Sequence, residues 1–339
     1  MLRNYVLVTL RNIWKNKLFT LINILGLGIA LSVCIVAFFN HMFNYEFDRT
    51  NRNFNEIYRI TCFRDMEGRE QEYGAVPATL GLQIKNDIPG VLRSARLQRT
   101  RSTVKIGDNI LPAMVIYADP EFTEIFTVSM INGESGSLTG TGNVLLSRSM
   151  AKNLFGNVYP DGKAVTIVND RNKELTFTVS GTFEDFPENS SFRIDILTNY
   201  SNYLRMWETS DSDWKTFTTA IFLQVPEKSI LPSVNANLRN YLPVQNKARE
   251  DFRINRFSLI PLDDVGENTR NVSSSGLFPG LHPAALIAPP IMAIFILLIA
   301  CFNFANTSIA IFSRRTKEIG LRKTFGGVRS QRVSILQYM

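Results

Sequence analysis

The chain has 339 residues, 45% of them hydrophobic, and a formal net charge of +7. That charge is uneven: residues 1–40 hold Arg3, Arg11, Lys15 and Lys17 without an acid, residues 313–339 hold seven basic residues against Glu318 alone, and the stretch between them is left at −3. A basic excess confined to the flanks of apolar segments is a signature of membrane topology and excludes a nucleic-acid-binding surface.

Residues 1–17 place Leu2, Tyr5, Val6, Thr9, Leu10, Ile13 and Trp14 at helical spacing, with Arg3, Arg11 and Lys15 largely elsewhere on the wheel, which predicts an interfacial amphipathic helix. Leu18 to Asn40 carries no charge and predicts a membrane span (18–40) of about 34 Å. The run continues past the small-x-small site at Ala30-Leu-Ser32 and past Cys34, whose preceding Val33 suits a lipidation site poorly, so it reads as a retained anchor.

The polar middle, 41–283, reads as mixed α and β. Strands are predicted at 56–63, 91–106, 110–117, 125–131, 164–168, 175–182, 216–225 and 257–262, and helices at 77–88, 147–155 and 231–241, while 192–206 gives no clear signal. The Gly-, Ser-, Asn- and Pro-rich stretch from Gly266 to Pro283 reads as a linker. Cys34 and Cys301 fall inside apolar runs and Cys62 alone lies in this middle, so the domain is expected to be stable from its core without disulfides.

From Leu286 to Phe312 there is again no charged side chain, predicting a second span (284–312) in which Asn303, Asn306, Thr307 and Ser308 face another helix or a polar seam rather than lipid. Arg314, Arg315, Lys317, Arg322 and Lys323 follow, with Glu318 as the single acid, and this cluster belongs on the cytoplasmic side. Both ends are then cytoplasmic and residues 41–283 are exported. Gly320, Gly326 and Gly327 predict a turn into a short helix along the membrane face, Glu318 and Arg322 one turn apart and Ile319 and Phe325 offering apolar contacts.

Catalytic chemistry is not legible. His41 and His282 sit at the outer borders of the spans, too far apart in role for a triad. The 156–164 stretch lacks the spacing and the Ser or Thr after Lys163 that a phosphate loop needs. No cofactor and no metal cluster is indicated. Asp48, Asp185 and Asp213 read as caps or surface charges.

Cys301-Phe-Asn-Phe-Ala-Asn306 followed by Arg314-Arg-Thr-Lys-Glu-Ile-Gly-Leu-Arg-Lys-Thr-Phe-Gly-Gly327 resembles the second transmembrane helix and coupling segment of FtsX-like ABC transporter permeases, the superfamily that includes MacB-like systems. Tyr45-Glu-Phe-Asp48, Asn55-Glu-Ile-Tyr-Arg59, Ala118-Asp-Pro-Glu-Phe122, Leu146 to Gly156, Asp161-Gly-Lys163 and Val179-Ser-Gly-Thr-Phe183 resemble, in order, the MacB-like periplasmic core domain, and Arg11 to Lys17 resembles the segment before the first span. The resemblance implies two transmembrane helices flanking a large α+β extracytoplasmic domain, in a non-catalytic subunit that couples ATP hydrolysis on another chain to export or extraction of a peptide- or lipid-linked substrate. It implies that Arg315, Lys317, Glu318, Ile319, Gly320, Arg322 and Gly326 dock on a cytoplasmic ABC ATPase. The implied partners are that ATPase, a second permease copy or homologous half, membrane lipid and an extracytoplasmic protein. Relatives carry further spans after this segment, so 328–339 reads as the approach to a missing third span of a truncated permease. The competing reading is a two-span sensor or scaffold whose exported domain binds a ligand or cell-wall partner.

Overall fold

The computed structural model describes Arg11, Trp14 and residues 17–324. Two compact units result, one built from residues 1–42 and 283–339 and the other from 43–282. Most of the expected amphipathic helix at 1–17 lies outside the described residues.

In the first unit, α1 (Lys17–Tyr45) and a terminal helix of 42 residues, Pro283–Thr324, are each long and apolar enough to cross a membrane. The terminal helix tolerates Pro289 and Pro290 near its start. An apolar cleft of 580 Å³ lies between Thr20, Asn23, Ile24 and Leu27 on α1 and Ala300, Cys301 and Phe304 on the terminal helix. Asn303 accepts a hydrogen bond on its carbonyl from the Thr307 hydroxyl one turn on (2.8 Å), so that hydroxyl is satisfied within its own helix.

The second unit runs, in chain order, through β1 (Ile57–Met66), β2 (Arg69–Tyr73), β3 (Val76–Pro77), α2 (Ala78–Asp87), β4 (Arg93–Ile106), β5 (Asn109–Ala118), α3 (Phe122–Ile125), β6 (Met130–Gly133), β7 (Asn143–Ser147), α4 (Arg148–Phe155), β8 (Ala164–Val168) and β9 (Glu174–Phe183). It continues with β10 (Ile196–Asn199), α5 (Tyr200–Trp207), β11 (Phe217–Thr218), β12 (Ala220–Gln224), α6 (Leu231–Leu238), α7 (Leu242–Ala248), β13 (Arg256–Pro261) and α8 (Leu262–Asn268). The terminal helix Pro283–Thr324 is α9.

One large sheet has the order β13-β1-β12-β4-β5-β10-β7-β9-β6, with β2 on β1 and β8 bridging β4 and β9. The pairs β10–β5 and β7–β9 are parallel. Because β8 pairs with both β4 and β9, the circuit β4–β5–β10–β7–β9–β8 closes on itself and leaves these strands few open edges.

Strand side chains alternate between faces, and here both faces are buried. Ile57, Leu97, Ile116, Ala118, Leu145, Leu197 and Phe222 enter one cluster with Phe122, Phe126, Phe183 and Phe192. The intervening residues divide between a second cluster, with Tyr58, Ile60, Cys62, Ile221 and Leu223 under α2 and α6, and a third, with Val115, Tyr117, Val144, Leu146 and Ile196 beside α4 and α5. Burial pushes the Cys62 thiol up to about 12, which leaves it a packing residue.

Several expectations are corrected. The predicted strand at 125–131 is split, because Asp119-Pro-Glu121 starts the short helix α3 and only Met130–Gly133 pairs. The uninformative stretch 192–206 contains β10 and the start of α5, which meet at Asn199, the last residue of β10, whose side chain caps Ser201 N–H at 2.8 Å. The strand at 216–225 is interrupted, with β11 pairing β3 and β12 joining the main sheet. The helix at 231–241 tightens into a 3₁₀ turn after Leu238. The stretch 266–283 is not a linker: α8 reaches Asn268, and Val272, Ser275 and Leu277 are buried in the domain.

Candidate functional site

The coupling positions Arg315, Lys317, Glu318, Ile319, Gly320 and Arg322 all lie on α9, whose helix is unbroken to Thr324; Gly326 lies outside the described residues. The turn expected at Gly320 is absent, since this glycine is helical and a Cβ there would meet nothing within 4 Å. A glycine supplies the freedom to turn but does not require it.

Sequence reasoning missed how the exported domain holds the chain at its two ends. Three residues after α1, Asp48 adopts φ 58°, a conformation Asp tolerates better than most side chains. It is fully buried, and is neither a cap nor a surface charge. Its Oδ1 accepts from the Ser190 hydroxyl (2.8 Å) and from Ser191 N–H (2.8 Å), and its Oδ2 accepts from the Ser191 hydroxyl (2.6 Å). Burial raises its pKa above the ordinary 3.8, opposed by these three bonds. Asp48 N–H donates to Asn189 O at 2.9 Å, completing the attachment to the 189–191 loop.

The other end is held by Arg59, on the face of β1 that also carries Ile57. The guanidinium is buried, and among the described residues no carboxylate bonds to it. Nη1 donates to Ser275 Oγ (2.9 Å), and Nη2 donates to Ser275 O (2.5 Å) and Thr219 O (3.3 Å). Burial lowers its pKa to about 10, with the charge of Glu72 acting in the opposite sense. Gly74 is required by close approach: a Cβ there would collide with Arg59 Nη2 and stand 2.8 Å from Ser275 Cα. Around this contact Gly74 N–H donates to Ser273 O (2.9 Å) and Ser273 N–H to Glu72 O (2.9 Å). Phe278 N–H then donates to Ser191 O at 3.1 Å. Ser191 therefore joins both ends: Asp48, shortly after α1, and Phe278, shortly before α9, are bonded to the same residue.

A third buried charge fixes the loop before β11. Arg96 donates through Nε and Nη2 to Asp119 (2.8 Å each) and through Nη1 to Asp211 (2.5 Å), and its guanidinium lies 4.1 Å from the centre of the Tyr200 ring. Burial alone would lower the Arg96 pKa, but the bonds and charge of Asp119, then Asp211, raise it. Of the other acids read as caps or surface charges, Asp185 accepts from Ser149 N–H (3.2 Å) in the first turn of α4, and Asp213 closes the turn to Lys215 and Thr216. Among the described residues no group of three His, Cys, Asp or Glu side chains is placed to share a metal ion.

Two membrane-length apolar helices flanking an α+β domain define the class of protein. The model of the MacB-like periplasmic core domain matches residues 20–241, and the chain belongs to this family of ABC transporter permeases. The similar solved structures include a domain assigned to a permease protein from Porphyromonas gingivalis, at 21% identity and TM-score 0.50, covering 62% of this chain and 91% of that one. They also include the periplasmic region of MacB from Actinobacillus actinomycetemcomitans (13% identity, TM-score 0.47, covering 66% and 96%) and the extracellular domain of the noncanonic ABC-type transporter YknZ from Gram-positive bacteria (12%, 0.44, covering 60% and 99%). No curated protein matches the chain. The family assignment makes the chain an inner-membrane protein with an extracytoplasmic domain.

Proposed function

We propose that the chain is the membrane subunit of an ABC system that carries motion generated by a cytoplasmic ATPase to its extracytoplasmic domain, for export or extraction of a peptide- or lipid-linked substrate. The observation that carries this reading is the double attachment at Ser191. The segments following α1 and preceding α9 are tied by hydrogen bonds to one loop of the domain. A displacement of either end would load the sheet as a body, where a solvated linker would absorb it. Arg315, Lys317, Glu318, Ile319, Gly320, Arg322 and Gly326 are the positions assigned to the ATPase. Hydrolysis belongs to that separate chain, and a second permease copy or homologous half completes a dimer.

The basic flanks support cytoplasmic termini with 41–283 exported. A cysteine at the exposed Ser210, in a background lacking the native cysteines, should react with an impermeant thiol reagent once the outer barrier is opened, and labelling at Ser330→Cys instead would overturn the orientation. The functional test is purification of the full chain from membranes together with a cytoplasmic ABC ATPase. A stable complex is expected; a complex with an exported protein and no ATPase would favour the sensor reading.

A further inference from the structure

At the β6 end of the sheet lies a 440 Å³ cleft whose lining includes Ile131 and Asn132 of β6, Lys152 of α4, Val158, Tyr159 and Thr182 of β9. It is separate from the Ser191 attachment and from the coupling stub. Three observations give it a chemistry.

The first is an open strand edge. β6 ends the sheet order and pairs with β9 alone among the described strands. It is pressed tightly onto β9, since a Cβ on Gly181 would stand 2.7 Å from Asn132 O. Its outer backbone edge thus offers donors and acceptors at strand spacing.

The second is an excess of donors. Lys152 is exposed and in no ion pair among the described residues. The Asn132 side chain spends its oxygen accepting Thr182 N–H (2.6 Å), and its amide NH₂ meets no partner among the described residues. The Thr182 hydroxyl, on a residue only 5% exposed, is buried without a hydrogen bond among the described residues. Arg148 also lines the cleft and is paired with Glu184, and the lining contains no carboxylate.

The third is an apolar wall. Ile131, Val158 and Tyr159, 44%, 55% and 62% exposed, line the same cleft.

We propose that this cleft binds an extended peptide segment bearing a carboxylate. The peptide backbone adds to the β6 edge, its apolar side chains rest on Ile131, Val158 and Tyr159, and its carboxylate is taken by Lys152 with the Asn132 amide. A free phosphate would use the cations but neither the strand edge nor the apolar wall. The carboxylate could come from an acidic side chain or from a chain terminus, and the two are separable.

The test uses the full chain in nanodiscs, with the methyl resonances of Ile131 and Val158 followed by NMR during titration. The probes are acetyl-Thr-Val-Asp-Val-Thr-amide, its Asn analogue, acetyl-Thr-Val-Thr-Val with a free C-terminus, and inorganic phosphate. Saturable shifts with a carboxylate-bearing peptide are expected; the Asn analogue should bind at least about tenfold more weakly than the tighter carboxylate peptide, and that peptide should itself lose about tenfold on Lys152→Gln, the scale of one charge-assisted hydrogen bond. Lys152 is exposed, so this variant keeps the fold. The stronger of the Asp and free-terminus peptides identifies the source of the carboxylate. An Asn analogue that binds as tightly as both carboxylate-bearing peptides, shifts with phosphate alone, or no shift with any probe would each overturn the proposal. None of these outcomes bears on ATPase coupling.

Discussion

The guanidinium of Arg59 bonds to both the hydroxyl and the carbonyl of Ser275, 216 residues further along the chain. A buried cation without a carboxylate is costly, and here three neutral oxygens meet it in the fork geometry that only arginine offers. Arg59→Lys should lower stability by about 1–3 kcal/mol, the cost of leaving buried acceptors unsatisfied. Gly74→Ala should act through the same contact, because the added methyl displaces Nη2. Thermal denaturation of both variants and of the double variant checks this: the double should cost less than the sum.

Asp48 gives a pH signature. Its carboxylate pKa is raised by burial, so the folded state holds the proton more tightly than the unfolded chain. The associated stability is present at pH below the ordinary 3.8 and is lost as pH rises through the higher folded value. Asp48→Asn removes that dependence, keeps an acceptor for Ser190 and Ser191, and suits φ 58°. The melting temperature of Asp48→Asn relative to the parent should therefore be higher at pH 7 than at pH 4; a difference independent of pH would contradict the assignment.

The pair Arg96–Asp119 is buried, with side chains 6% and 14% exposed. Removing one partner of such a pair leaves an uncompensated charge and typically costs about 3–5 kcal/mol. Asp119→Asn should fall toward the low end of that range, because Asp211 still meets Nη1. Asp211→Asn should cost less than Asp119→Asn, since Asp119 holds two of the guanidinium bonds. Chemical denaturation of the two variants orders them.

On the coupling stub, Glu318→Lys should weaken association with the ATPase, by roughly 2–5 kcal/mol if it removes a desolvated charged contact. Gly320 lies within α9, so Gly320→Ala should leave ATPase association unchanged, while Gly320→Pro should break the helix and uncouple transport from hydrolysis. Co-purification and transport assays measure both. Parental behaviour of Glu318→Lys and Gly320→Pro would reduce the segment to a stop-transfer cluster.

The sequence alone was sufficient for what depends on local pattern. Long uncharged runs determine the membrane helices because bilayer thickness sets a length threshold that any 20-residue apolar stretch either meets or fails. β8 was legible to the residue, and α4 to within one residue between Ser147 and Gly156, because β-branched runs and caps act over a few positions. The order of short motifs carried the family. Tertiary structure alone decided the rest. Arg59 and Asp48 look like ordinary surface charges in sequence, since nothing local reveals that Ser275 and Ser191, far along the chain, will satisfy them. The 266–283 stretch has a linker's composition, yet it is fixed because its backbone groups find partners on β2 and on the 189–191 loop. Gly320 could have turned, and a continuous helix was formed instead. Burial and hydrogen-bond pairing between distant segments are properties of the folded chain, and they determine how this domain holds the segments that lead to its membrane helices.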